Sequence, residues 1–189
     1  MRLFYANNQR MHREPILTLL QEHRPANALE QTMVQATIEF VRTYSNCFDR
    51  SLLIGHVTGS AWIVSPDRQQ VLLIHHRKLD RWLQPGGHAD GDPDVSAVAL
   101  REAQEETGLT SLKRVSDRIF DVDVHQIPLR KDVLAHLHYD IRFLFEADPS
   151  EAFGKSDEVT NIRWFPLETI KNTADSESIL RMVRKNVKN

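Results

Sequence analysis

Cysteine is almost absent. Cys47 is the one thiol in the chain, so an internal disulfide is impossible and a bridge-stapled framework is excluded. A reducing compartment fits that usage, and in its helix-like stretch Cys47 reads as a buried thiol rather than a nucleophile. Also missing is any apolar run that approaches a membrane span, and the opening MRLFYANNQRMHREP lacks the unbroken apolar core of a signal peptide. The expectation is a cytoplasmic protein with no membrane partner. Neither sign of charge dominates: 24 Lys and Arg against 26 Asp and Glu leave a formal net charge of -2. No broad basic field is therefore available for nucleic acid, and any anionic substrate must be handled locally. Repeats and low-complexity tracts are lacking as well.

What is present suits one domain with a sizeable core: 189 residues, 41% hydrophobic and 26% charged. The stretch PILTLLQEH, residues 15–23, opens with proline and predicts a short helix ended near Arg24-Pro25. Leu29, Met33, Ala36, Thr37, Phe40, Val41, Tyr44 and Phe48 then recur at helical spacing, predicting an amphipathic helix over much of residues 27–46. Residues 1–50 thus read as a helical N-terminal extension ahead of a domain over residues 51–189. A lid over the domain's own core is preferred for it to a dimer interface, which would make a homodimer, or to a substrate cap.

From Thr58 the texture changes. TGSAWIVS and VLLIHH, separated by a turn-like SPDRQ, read as a hairpin, and HRKLDRWLQPGGH reads as a loop. RIFDVDVHQI and HLHYDIRFLFEA both alternate and predict an antiparallel pair, VTNIRWF a last strand, and DSESILRMVRKNV a closing helix. Strands mixed with helices in this order predict an α/β fold, a mixed sheet with helices packed against it.

The chemistry concentrates in PGGHADGDPDVSAVALREAQEETGL, residues 85–109. Asp92 suits an N-cap, Pro93 a first helical position and Gly108 a stop, which predicts a helix over residues 93–107. On it Val95, Val98 and Ala99 form a stripe that Glu102, Glu105 and Glu106 continue, so the carboxylates face inward or toward a cleft edge. Like charges placed there must be paired, protonated or metal-bound. Arg101 can satisfy one carboxylate, not three. Clustered carboxylate oxygens suit a hard divalent cation such as Mg²⁺, open to phosphate oxygens. The glycines at 86 and 87 let backbone approach such a site closely.

This segment resembles the Nudix box, G-x5-E-x7-R-E-U-x-E-E-x-G-U with U aliphatic. With Gly87 as its first position, Arg101, Glu102, Glu105, Glu106, Gly108 and Leu109 fall in register and Ala103 takes the intermediate aliphatic position. Pro93, flanked by Asp92 and Asp94, replaces the usual isolated glutamate. The wider resemblance covers about residues 55–168. It implies a Nudix-type α/β/α sandwich and hydrolysis, dependent on Mg²⁺ or Mn²⁺, of a diphosphate joined to another group, often a nucleoside. It also implies that Glu102, Glu105 and Glu106 are metal ligands, that Arg101 orients a carboxylate, and that Gly87 offers its carbonyl. One of the glutamates would also take a proton, with Glu102 and Glu105 the catalytic candidates. A Nudix-like sensor that binds a diphosphate metabolite without turnover is the competing reading.

Other residues carry open alternatives. Glu158 is a general base, an added metal ligand or a solvated loop carboxylate. Arg77, Lys78 and Arg81 could meet a pyrophosphate, with Arg77 and Arg81 the leading substrate contacts, and His88 beside the glycine pair is a further one. Trp82 is expected to pack beneath the loop rather than stack on a base. His125 shares a strand face with Asp121 and Asp123, and His136, His138, Asp140 and Arg142 share the next. Those faces are a second metal site, a substrate surface or the wet outside of a sheet.

Overall fold

The computed structural model describes residues 11–129, 133–154, 156–173 and 176–188. Two helices lead, α1 (Glu14–Glu22) and α2 (Ala28–Thr43). Asn27 caps α2 by accepting the Glu30 N–H at 2.9 Å, and the Glu30 carboxylate reaches back to the Ala26 N–H at 2.6 Å, a reciprocal cap that anchors the helix start.

The sheet follows: β1 (Gly55–Val64), β2 (Gln70–His76), β3 (Arg81–Leu83), β4 (Gly86–His88), β5 (Lys113–Arg114), β6 (Asp121–Ile127), β7 (His136–Glu146) and β8 (Val159–Pro166). Between β4 and β5 runs α3 (Val95–Thr107), and α4 (Leu167–Thr173) and α5 (Glu177–Lys188) close the described chain. The loop expected at residues 76–88 contains two short strands, because β3 adds to the edge of β2 and β4 to β1.

β1 is the hinge of the topology. It runs parallel to β7 over its whole length, from Gly55↔Leu137 to Val64↔Glu146. Its other edge is shared: β2 pairs antiparallel at Ile63↔Leu72, while β4 pairs at Thr58↔His88 to Ser60↔Gly86. The mixed sheet therefore splits along β1 and leaves a cleft. All ten β1 residues are buried, as expected of a strand covered on both faces.

Alternation along β1 assigns its faces. Val57, Ala61 and Ile63 join one core with Ile16, Leu20, Val34, Val41, Val95 and Val98, so α1, α2 and α3 cover that side. Trp62 and Val64 join a second core with Val71, Leu73, Ile179, Met182 and Val183 under α4 and α5. Helices on both faces of a mixed sheet make the α/β/α sandwich expected from the sequence. The first two helices pack into the same core as β1 and α3. Among the described residues no helix is long and apolar enough to cross a membrane. Cys47 is buried, in a turn rather than a helix, and burial pushes its thiol up to about 12.

The wet outer face considered for β6 and β7 is a correction: Asp121, Asp123, Asp140 and Arg142 are buried. Arg181 from α5 donates to Asp121 at 2.7 Å and to Asp123 at 2.9 Å. Arg142 donates to Asp140 at 2.7 Å and to Asp121 at 3.1 Å, and Lys185 reaches Asp121 at 2.7 Å and also binds Glu30. Alternation shows which residues share a face, Arg142 among them, but two of the cations that make burial tolerable, Arg181 and Lys185, come from a distant helix.

Candidate active site

Helix α3 begins later than expected. Asp94, not Asp92, is the N-cap, accepting the Ala97 N–H at 3.0 Å. Asp92 instead accepts the Asp94 N–H at 2.9 Å, an Asx turn that keeps Pro93 outside the helix. The C-terminal stop agrees: Gly108 is left-handed at φ 73° and its N–H donates to the Gln104 carbonyl at 2.8 Å. α3 lies directly on β1 because residue 59 is glycine; a Cβ there would meet the Val95 carbonyl oxygen at 2.7 Å.

That close approach brings the acidic turn of α3 against β4. Glu106 is 6% exposed and its Oε2 accepts the Gly86 N–H at 2.9 Å. Burial, reinforced by the carboxylates of Glu102, Glu158 and Glu105, raises its pKa to about 8 against the Gly86 hydrogen bond. Glu102 is half-buried and is also raised, by burial first, although Arg101 donates to it at 3.3 Å. Glu105 is the outermost of the three, with its side chain 64% exposed, 4.0 Å from Arg101. The inward direction expected for all three holds as a gradient, Glu106 deepest and Glu105 at the rim. Arg101 also touches the His88 carbonyl at 3.4 Å and lies 3.8 Å from Asp92, so it ties the helix to the glycine strand.

These groups line one cleft of about 820 Å³. Gly87, His88, Arg101, Glu102, Glu105, Glu106 and Glu158 all belong to its wall. Arg77 and Arg81, expected as substrate contacts, do not belong to it. The Arg77 guanidinium donates to the Asp157 carbonyl at 2.8 Å, and Arg81 is exposed on the edge strand β3. Lys78 does line the cleft, 3.8 Å from Glu158. Trp82 packs edge-on against Phe165, ring centroids 4.8 Å apart, and stays out of the cleft as expected.

Several lining residues escaped the sequence reading. Arg50, from the loop after α2, reaches the cleft and forks onto Asp90. Thr58 and Ser60 donate to Asp140 at 3.0 and 2.7 Å, and Gln84 reaches its other oxygen at 3.4 Å, giving the cleft a polar floor. The alternation of GHVTGSAW would have placed Thr58 and Ser60 on one face, but reading the strand as starting at Thr58 also hid His56.

A family model described as NUDIX domain matches residues 56–185. The chain is similar to a probable DHNTP pyrophosphohydrolase of Lactococcus lactis subsp. cremoris, 30% identical over 114 residues that cover 59% of this chain and 63% of that protein. It is also similar to a putative 8-oxo-dGTP diphosphatase of Bacillus subtilis, 27% identical over 109 residues covering 58% of this chain and 66% of that one. The chain thus spans somewhat under two thirds of these curated relatives. Among solved structures, a Caenorhabditis elegans Ap4A hydrolase complex shares the fold at a TM-score of 0.55 and 20% identity, over 70% of this chain and 95% of that one. The Escherichia coli dihydroneopterin triphosphate pyrophosphohydrolase does so at 0.53 and 14%, over 70% and 96%. With its acidic helix, its paired glycines and most of its length matched by the family model, the chain belongs to the NUDIX family.

Proposed function

We propose that this protein is a pyrophosphohydrolase that cleaves the phosphoric anhydride bond of a nucleoside diphosphate derivative, or of a related small diphosphate, with Mg²⁺ or Mn²⁺. The observation that carries this reading is the Glu102, Glu105 and Glu106 cluster at the cleft wall, whose deepest member burial holds at a pKa of about 8. An all-oxygen set in which like charges oppose one another's ionisation fits a hard divalent cation. Glu102, Glu105 and Glu106 would hold it, with the Gly87 carbonyl as a further donor. When bound, such an ion neutralises bridging phosphate charge and acidifies a water for attack on phosphorus.

The chain's own groups do the rest. The Gly86 N–H anchors Glu106, and Arg101 steers Glu102 and Glu105. Arg50 and Lys78 put positive charge at the mouth for phosphate. Glu158, exposed beside Lys78, would accept a proton from water. The names pyrophosphohydrolase and diphosphatase carried by the two relatives support the bond class.

The test is product release from a panel of nucleoside diphosphate derivatives with and without Mg²⁺. Turnover should require the metal and fall by orders of magnitude in Glu105→Gln, with the melting temperature unchanged. Binding across the panel without turnover would instead identify a diphosphate sensor, and metal-independent turnover would overturn the reading.

A further inference from the structure

The same cleft has a wall of imidazole. His88, His125 and His138 line it, and His56 and His136 lie directly behind. Ring centroids are 4.8 Å apart for His56 and His138, 5.0 Å for His56 and His136, and 5.1 Å for His136 and His138. Topology forces the meeting. Parallel pairing sets His56 beside His138, and the two-residue period of β7 turns His136 to the same face.

One ring nitrogen from each of His56, His136 and His138 lies within 4.8 Å of the others. The Nε2 atoms of His136 and His138 are 3.3 Å apart. Two imidazoles on a tetrahedral Zn²⁺, with Zn–N of about 2.0–2.1 Å, place their nitrogens about 3.4 Å apart. His136 is already oriented for this: its Nδ1–H donates to the Leu134 carbonyl at 2.8 Å, which leaves the Nε2 lone pair facing His138.

His56 gives an independent sign. It is 3% exposed, and both its ring nitrogens are buried without a hydrogen bond. The Leu52 backbone lies close enough to hydrogen-bond weakly to the ring, yet no hydrogen bond of ordinary geometry reaches either nitrogen. Buried polar side chains almost always have a partner, and a metal ion is a partner that this imidazole lacks among protein groups.

We propose that His56, His136 and His138 form a second metal site, distinct from the carboxylates of α3, that takes a borderline-soft divalent ion of the Zn²⁺, Co²⁺, Ni²⁺ or Cu²⁺ class. Three nitrogen donors and no carboxylate select these ions over Mg²⁺. The ion clamps β1 to β7 and adds positive charge to the wall of the cleft. Three protein ligands leave a position for water or a substrate oxygen.

Chelator-stripped full-length protein, held in excess Mg²⁺, is titrated with Zn²⁺ by calorimetry and with Co²⁺ by visible absorption. One equivalent should bind despite the Mg²⁺. His136→Gln and His138→Gln should each weaken it by about a hundredfold or more, since even partners of metal ligands are worth 10–100-fold. The Glu102→Gln/Glu106→Gln double variant should keep it. Electron paramagnetic resonance of the wild-type protein with one equivalent of Cu²⁺ should show coupling to several nitrogens, a readout that needs no variant to fold. An oxygen-only signal, an affinity unchanged in the folded histidine variants, or no binding below millimolar Zn²⁺ would each overturn the site.

Discussion

The Glu102 carboxylate occupies the space that a side chain on residue 87 would need: a Cβ added to Gly87 would lie 2.2 Å from Glu102 Oε2 and 2.5 Å from its carboxylate carbon. The obstructing atoms are the free end of a flexible side chain, so Gly87→Ala should displace the carboxylate rather than the backbone. Melting temperature should change little, while Mg²⁺-dependent turnover falls at least about tenfold, the equivalent of about 1.4 kcal/mol at the transition state. A Mg²⁺ titration of activity beside a thermal melt checks both halves. Unchanged turnover would mean that the position of Glu102 does not limit the reaction.

Glu106 gives the metal-free protein a pH dependence of definite sign. Its pKa rises from 4.5 to about 8 on folding, so between those values the folded chain holds a proton that the unfolded chain has released. Stability is then full below about pH 4.5 and declines as pH rises toward 8, by at most about 1.4 kcal/mol per pH unit from this group. Glu106→Gln should remove that decline, and Mg²⁺ should suppress it in the wild type by favouring the ionised form. Urea unfolding across pH 5–8, with and without metal, measures the difference.

Asp92 and Pro93 face opposite ways. Asp92 lines the cleft 3.8 Å from Arg101, whereas Pro93 borders a separate depression with Pro15, Ile16 and Phe143. Asp92→Asn should lower kcat severalfold by loosening Arg101. Pro93→Glu, which restores the residue usual in Nudix boxes, should leave kcat within about twofold, because the new carboxylate would lie away from Glu102, Glu105 and Glu106. Steady-state kinetics of the two variants side by side decides it. A large change with Pro93→Glu alone would reverse the assignment.

Arg181 ion-pairs with two buried carboxylates, Asp121 and Asp123, which it shares with Arg142. Arg181→Met should cost about 3–5 kcal/mol in urea unfolding, since it leaves carboxylate charge buried without adequate compensation. Adding Asp121→Asn should recover part of that loss, a coupling visible in the double-mutant cycle. A cost below about 1 kcal/mol would show that the network is not sealed from water.

Much of this molecule is legible along the chain, and much is not. Periodicity over residues 95–107 and the glycine at 108 mark α3, and the spacing of Glu102, Glu105 and Glu106 puts them on one side of it, because helical geometry depends only on near neighbours. Alternation likewise marks β6 and β7. The helix α3 starts two residues later than its sequence predicts, because Asp92 and Asp94 are equally able to cap a helix and only the turn around Pro93 chooses between them. Tertiary structure alone decided that Glu106 is sealed while Glu105 faces solvent, that Arg50 and Lys78 rather than Arg77 and Arg81 line the cleft, and that His56 meets His136 and His138. Each outcome depends on the parallel register of β1 with β7 and on how closely α3 approaches Gly59. Local spacing specifies which side chains share a face; which faces are buried together is set by contacts between segments far apart in the chain.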